Sequence, residues 1–272
     1  MEIQDPVKPN LYSVKMAVYH PPMTRKPSSR RTPAAARAAK SPSRPASAKA
    51  TPPAKVGARG KAKPGPLAPY HHGDLHDALL KAAETILERD GLTGLTLRAV
   101  AREAGVSHAA PAHHFRDLTG LVSELAAIGY RRFGAAMRAA VVPGRSWTEV
   151  GQARAHAYLD FARTHPAMYQ LMFRAERLDM TNPALQDAAN ASFAGLVAAV
   201  GEGRGETIAS QTLTLEQAAD AARAWSLMHG FVSLVLDGRL SDILERLPAG
   251  STVDQLLDRM LRGGTPLGPR AG

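Results

Sequence analysis

The sequence has no cysteine and no long apolar run, and both absences narrow what the chain can be. Without cysteine, its 272 residues can form neither a disulfide nor a thiol nucleophile. This composition fits a cytoplasmic protein, which is the localisation that we predict. No stretch of 18 consecutive apolar residues occurs, so we expect no membrane span.

Signature motifs of common enzyme classes are also missing. The sequence contains no G-x-S-x-G, no Walker loop and no H-E-x-x-H, which argues against hydrolase, P-loop nucleotide and zinc-protease chemistry. The glycine-rich run GEGRGE at Gly201–Glu206 lacks the preceding strand that phosphate-binding loops have, and we interpret it as a linker. We therefore predict that the chain is not an enzyme and has no cofactor.

Positive charge is concentrated in the first 69 residues. This segment holds 14 lysines and arginines against two acidic residues, whereas the rest of the chain carries a formal charge of −2. It also holds 13 of the 20 prolines. Such a composition cannot bury enough apolar surface to form a core, so we predict a disordered basic tail, rich in Pro, Ala and Arg, over residues 1–69.

Three interpretations of this tail stay open. In the first, it is a basic arm that adds nonspecific DNA affinity by releasing counterions. In the second, it is a solvated extension without a role. In the third, part of it reflects a mis-assigned translation start, because Met16 and Met23 are plausible initiators.

The most informative segment is TLRAVAREAGVSHAAPAHHF at residues 96–115. Its apolar residues recur at helical spacing after Thr96, whose hydroxyl is suited to cap a helix. Gly105 can take the left-handed conformation that ends a helix. Ser107 is then suited to cap a second helix, whose small and donor-rich residues fit a DNA major groove. The segment thus predicts a helix-turn-helix motif.

The stretch from Tyr70 to about Arg132 resembles the TetR/AcrR family of bacterial transcriptional regulators. The resemblance is carried by YHHGDLHDALLKAAETILERDGLTGLTLRAVAREAGVS, by the HF pair at His114–Phe115 and by Leu121. It implies a three-helix DNA-binding domain over residues 70–133. Two positions depart from the family pattern, since Ala112 stands where a Tyr is usual and Leu118 where a Lys is usual. Both usual residues commonly touch the DNA backbone.

We expect DNA contacts from the helix-turn-helix segment and the residue that follows it. Arginines are suited to phosphate and base contacts, histidines to groove-facing or phosphate contacts, and helix-start hydroxyls to phosphate. The candidate DNA-binding residues are Thr96, Arg98, Arg102, Ser107, His108, Ala109, His113, His114 and Arg116. For His114, packing beneath the turn is an open alternative.

The rest of the chain also predicts helices, so the whole fold is expected to be all-α. Apolar periodicity and Pro or Gly breaks place helices at about 118–141, 147–163, 166 onward, 183–200, 215–236 and 253–261. No alternating strand pattern stands out. The runs THPAMYQLMF and WSLMHG resemble a TetR subgroup whose C-terminal domain carries a Trp and a His-Gly pair. This resemblance implies a ligand-binding and dimerisation bundle over residues 134–265.

Aromatic and methionine residues of this bundle could line an effector pocket, since pockets are mostly apolar with a few polar groups. The candidate pocket residues are Tyr158, Phe161, Tyr169, Met172, Phe173, Trp225, Met228 and His229. Each of them could equally fill a core. His72 and His76 have a known metal-ligand spacing, but without cysteine or an H-E-x-x-H motif we predict no metal site.

Together these features predict a sequence-specific DNA-binding transcriptional regulator. By the resemblance, it is a homodimeric repressor that binds an imperfect palindromic operator in double-stranded DNA and is released by a small-molecule effector. The alternative is a basic DNA-associated protein that relies on its tail and has little sequence specificity. The sequence identifies neither the operator nor the effector, and it does not distinguish repression from activation.

Overall fold

The computed structural model describes residues 72–263, which are helical and contain no strand. The predicted tail at 1–69 and His71 lie outside the described residues. The all-α prediction is confirmed. In chain order the helices are α1 (His72–Gly94), α2 (Leu97–Glu103), α3 (Ala110–Phe115), α4 (Leu118–Ala139), α5 (Trp147–Thr164), α6 (Pro166–Met172), α7 (Pro183–Arg204), α8 (Leu215–Leu236), α9 (Ser241–Leu244) and α10 (Val253–Arg262).

The first three helices share one small core with the start of α4. Leu79, Ile86, Val100 and Leu121 are each at most 1% exposed there. In α1, Gly91 has a positive φ of 68°, a conformation that glycine adopts without a steric penalty, and it interrupts the helix before its last turn. Packing in this core holds α2 against α1 and α3 against the start of α4.

The longer helices form the second part of the described fold. Helix α4 continues from the first core into this part, where it packs along α7 and also contacts α5 and α6. Good caps set the helix starts: Ser146, Thr214 and Thr252 each form a reciprocal capping box with the residue three positions later. These caps explain why the predicted starts at residues 147, 215 and 253 agree with the observed ones.

The interpretation of Gly201–Glu206 as a linker is wrong for its first four residues. Helix α7 continues to Arg204 and ends at Gly205, which has a φ of 67°. Contacts with α5 explain the extra turn, because Arg154 of α5 forms an ion pair with Glu202 and the Trp147 ring lies directly over Gly203. Packing therefore outweighs the weak helix propensity of glycine here.

Candidate nucleic-acid interface

Helix α2 begins where the sequence predicted. Thr96 is extended, and its Oγ1 accepts a hydrogen bond from the amide of Ala99 at 3.1 Å. Val100 and Ala101 face the core, which leaves Arg98 and Arg102, one helical turn apart, on the exposed face.

The turn after α2 is a complete Schellman motif. Gly105 has a φ of 68°, and its amide donates to the carbonyl of Arg102 at 3.2 Å. The amide of Val106 donates to the carbonyl of Ala101 at 2.9 Å. These bonds satisfy the last carbonyls of α2 and fix the direction in which the chain enters α3.

Helix α3 starts later than predicted, so the prediction that Ser107 caps it is wrong. The helix begins at Ala110, and the residue before it, Ala109, forms no side-chain cap. An α-helix capped by Ser107 would need an amide donor at residue 111, but Pro111 has none. The carbonyl of Ser107 instead accepts from the amide of Ala110 at 3.0 Å, which makes residues 107–110 a tight turn.

The short helix α3 has one buried and one exposed face. Pro111 and Phe115 are buried against the first core. The exposed positions, spaced by three and four residues, are Ala109, Ala112, His113 and Arg116. With two alanines in this stripe, little side-chain bulk separates the α3 backbone from anything that docks on it.

Helix α2 and the turn before α3 form a shallow concavity beside this stripe. It is lined by Thr96, Arg98, Ala99, Arg102 and His108. We call these five residues together with the exposed stripe of α3 the reading surface. The structure thus brings four of the predicted DNA-binding residues together in one concavity.

Two other guanidinium groups in the first part of the fold are paired with carboxylates. Arg89 pairs with Asp90 and Glu103, which raise its pKa, and Arg132 pairs with Glu84. By contrast, Arg98 and Arg102 make no ion pair within 4.0 Å with any residue that the structure describes. Their charge is therefore available to an external anion.

His114 lies on the inner side of α3. It is half-buried, with its ring centroid 6.0 Å from that of His76. The His76 ring also stacks on Phe115 at 4.7 Å, and its Nε2 lies 2.9 Å from a carboxylate oxygen of Glu124. This arrangement agrees with the alternative in which His114 packs beneath the turn.

The junction between α3 and α4 is unusually tight. Arg116 has a φ of 66°, a conformation that non-glycine residues rarely adopt. The amide of Asp117 donates to the carbonyl of Phe115 at 2.8 Å, and its side chain caps α4 by accepting from the amide of Gly120. A Cβ at Gly120 would overlap the Phe115 carbonyl oxygen. Position 120 therefore requires glycine if α3 is to keep its place.

The predicted pocket residues mostly meet in one aromatic cluster. We use this name for the rings of Tyr130, Phe133, Tyr158, Phe161, Tyr169, Phe173, Trp225 and His229, which contact one another with centroids 4.5–6.5 Å apart. Met172 is buried, with its sulfur near Gly129, and Met228 is half-buried on α8. Tyr130 and Phe133 were not among the predicted pocket residues, and both are buried on α4.

The interior of this cluster is polar. The hydroxyl of Tyr169 lies 2.8 Å from Nδ1 of His229 and 3.3 Å from the hydroxyl of Tyr158, which itself lies 3.4 Å from the same nitrogen. Burial raises the pKa of Tyr169 to about 12 and also raises the pKa of Tyr158. Both phenols therefore stay protonated at neutral pH and can donate hydrogen bonds.

One further link was not predictable from the sequence pattern. Ser123 of α4 is fully buried, and its hydroxyl accepts from the amide of Asp179 at 2.8 Å while donating to the carbonyl of Thr119. The charge of Arg116 also contributes to lowering the pKa of Asp179, after the larger effect of hydrogen bonds from Thr181. The loop after α6 is thus tied directly to the first turns of α4.

Two further sequence expectations concern metals and membranes. In residues 72–263, no three His, Cys, Asp or Glu side chains are grouped so as to hold a metal ion. Within the same range, no helix has the length and apolar character needed to cross a bilayer.

Known proteins resemble both parts of the described fold. Residues 79–125 match the family described as bacterial regulatory proteins, tetR family, and residues 152–263 match the tetracyclin repressor-like C-terminal domain. An uncharacterised HTH-type transcriptional regulator of Mycobacterium tuberculosis is 29% identical over 170 residues, which cover 61% of this chain and 72% of that protein. A solved structure of a protein of unknown function from Rhodococcus sp. RHA1 is 36% identical, covers 72% of this chain and 97% of its own, and superposes with a TM-score of 0.57.

The helix-turn-helix geometry and these matches agree along the chain. The family match over residues 79–125 spans α2, α3 and the junction with α4, and the C-terminal match spans most of α5 and continues through α10. The chain belongs to the TetR family and is a sequence-specific DNA-binding transcriptional regulator.

Proposed function

We propose that this regulator is a homodimeric repressor that a small molecule releases from an imperfect palindrome. It acts in the cytoplasm, where bacterial DNA lies, and its role requires no catalytic step. Residues 70–133 form the DNA-binding domain, and residues 134–265 form the effector and dimerisation domain. The observation that carries the proposal is the reading surface, where two unpaired arginines flank a helix stripe with little side-chain bulk.

The reading surface suits entry of α3 into a major groove. Ala109 and Ala112 allow close approach to base edges, while His113 and Arg116 supply donors on the same stripe. Arg98 and Arg102 of α2 would hold the phosphate backbone beside the groove, and the exposed start of α2 at Thr96 would add a contact. Leu118 is half-buried in α4 and would supply no charge there.

The outward faces of α7 and α8 support the proposed dimer. Small residues line both faces at helical spacing: Ala191, Gly195 and Ala198 on α7, and Ala219, Ala222 and Ser226 on α8, all exposed. Two such pairs of helices can pack as a four-helix bundle around a two-fold axis. The two copies of α3 would then reach successive major grooves about 34 Å apart.

Replacing Gly195 tests this dimer. A Cβ at Gly195 meets nothing within 4 Å, so Gly195→Glu disturbs no contact within the chain. We expect the variant to sediment as a monomer and to bind DNA at least about 100-fold more weakly, because the two half-sites are no longer held together. The control is Gly151→Glu on α5, which is equally open. A Gly195→Glu variant that stays dimeric would place the interface elsewhere.

The aromatic cluster supports a site for a small amphipathic effector. Its rings provide apolar contact area, and methionines such as Met172 can rearrange to accept a ligand. The Tyr158, Tyr169 and His229 groups would orient one polar group of that ligand. Buried charge without a partner is costly, so a neutral ligand suits this cluster best.

The same cluster lies on helices that reach α4. Tyr169 and Phe173 belong to the segment that leads into the loop at Asp179, and Asp179 is bonded to Ser123 near the start of α4. A ligand that displaces α6 would shift this loop and, through α4, the spacing of the two reading surfaces. A ligand changes the DNA affinity only if it binds more tightly to the protein at one spacing of the reading surfaces than at the other.

Tyr169→Phe tests the effector site. A thermal-shift series with neutral naphthols should stabilise the natural protein and reduce its DNA binding. The variant should bind these compounds about tenfold more weakly, since it loses one hydrogen bond between uncharged groups. Tyr130→Phe is the matched control, because its hydroxyl donates to the carbonyl of Met172 instead. Equal losses in both variants would argue against a site centred on Tyr169.

A further inference from the structure

The DNA-binding end of the chain has little positive charge for its task. Residues 72–133 contain seven lysines and arginines against eight acidic residues, a formal charge of −1. Two of the seven, Arg89 and Arg132, are paired with carboxylates. Because phosphate neutralisation supplies much of the affinity of a protein for DNA, further cations should come from groups on the reading surface itself.

Histidines occupy two positions of that surface. His108 lines the concavity together with Arg98 and Arg102, and His113 is exposed on the α3 stripe beside Arg116. Histidine is the side chain whose charge ordinarily changes between pH 5 and 8, and a protonated imidazole has two N–H donors that a phosphate can accept.

The charged groups on the elements next to these two rings are of both signs. On α2 they are Arg98, Arg102 and Glu103, and the carboxylate of Glu103 is held by Arg89. On α1 and α4 they are His76, which contacts both Glu124 and Asp77, then Asp90, whose pKa is lowered mainly by Arg89 and also by Arg102, and Asp117, which caps α4. The remaining groups, His114 and Arg116, lie on or next to α3 itself. None of these carboxylates forms an ion pair within 4.0 Å with His108 or His113 in the part of the chain that the structure describes, so a DNA phosphate would be the counterion of a protonated ring.

We propose that His108 and His113 take up protons when the reading surface docks on DNA, so that DNA binding is coupled to pH. This inference rests on the proposed docking of the reading surface. A complex that binds more protons than the free components is favoured as the pH falls, so the DNA affinity rises from pH 8 to pH 6. Net uptake of about two protons per dimer would raise the association constant about 100-fold per pH unit.

Calorimetry on the full-length chain measures this uptake directly. DNA of about 30 base pairs, long enough for two half-sites, is titrated in buffers of different ionisation enthalpy at pH 7. Both a random-sequence duplex and a duplex selected by the protein are used, because phosphate contacts exist in either. We expect net proton uptake and a salt slope of log K that is steeper at pH 6 than at pH 8, by about 0.9 per added phosphate contact.

The variant His108→Gln/His113→Gln tests whether the protons taken up on DNA binding go to these two histidines. Glutamine keeps a neutral polar side chain that cannot take up a proton, so we expect the affinity of the variant to change little between pH 8 and pH 6 and the proton uptake to be lost. His156→Gln is the control, since His156 contacts Asp258 of α10, away from the reading surface. His20, His71 and His72 are present in every variant and cancel from the comparison.

Three outcomes would overturn the inference. Proton uptake that persists in the double variant would assign the protons to other groups. Equal weakening of the variant at pH 6 and pH 8 would mean that the two histidines are neutral contacts or structural. DNA binding that survives nonspecific competitor but takes up no protons would refute the coupling alone. A separate result, loss of the bound DNA to competitor at both pH values, would refute the proposed docking on which the inference rests.

Discussion

Gly120→Ala is expected to abolish DNA binding, although glycine-to-alanine changes inside helices normally stabilise them. Position 120 lies in the first turn of α4, where an added Cβ would overlap the carbonyl oxygen of Phe115. That carbonyl already accepts the amide of Asp117 at 2.8 Å, so it cannot turn away without breaking the junction. Overpacking should destabilise this region by about 1–3 kcal/mol and displace α3 from its place on the reading surface.

Gel-shift titration and thermal unfolding measure the two effects of this variant. We expect DNA affinity to fall at least about 100-fold, because α3 no longer presents its stripe at the required angle. Gly151→Ala is the matched control, since its Cβ meets nothing within 4 Å and the change should stabilise α5 by about 0.5–1 kcal/mol. If both variants bind DNA like the natural protein, the junction does not position α3 as described.

The double variant Arg98→Ala/Arg102→Ala has the second largest expected effect. It removes two unpaired guanidinium groups from each subunit, and therefore four cations from the proposed dimer. We expect DNA affinity to fall about 100-fold or more, and the slope of log K against log salt to become shallower by about 3 to 4. Specific and unrelated DNA should be affected alike, because phosphate contacts carry no sequence information.

Arg89→Ala separates this effect from a general loss of positive charge. Arg89 carries the same guanidinium in the same part of the fold, but Asp90 and Glu103 hold it. Its replacement should leave the salt slope nearly unchanged. A slope that stays the same in the double variant as well would mean that Arg98 and Arg102 do not contact phosphate.

The fold was largely predictable because its helices are marked by local chemistry. Thr96 as a cap, Gly105 as a helix end and Pro166 as a helix start act within one turn of the chain, so the sequence pattern identifies them. The predicted Ser107 cap of α3 is wrong for a local reason too, since Pro111 has no amide to donate to the carbonyl of Ser107.

Features that depend on tertiary contacts were not predictable from the pattern. The last turn of α7 forms because Arg154 and Trp147 of α5 cover it. The bond between Ser123 and Asp179 joins residues 56 positions apart, and nothing in either local segment marks it. Similarly, the sequence pattern identified the members of the aromatic cluster that lie on or next to α5, α6 and α8. The members on α4 could be identified only from the way the helices pack.

The central claim is that the reading surface recognises a particular DNA sequence, and competition binding tests it most directly. Full-length protein is first used to select sites from a random DNA pool, and the recovered duplex is then challenged with excess unrelated DNA. We predict an inverted repeat with half-sites about one helical turn apart, whose complex survives competition and is lost in Gly120→Ala. Recovery of no common sequence, with displacement by any DNA in proportion to its amount, would contradict the account.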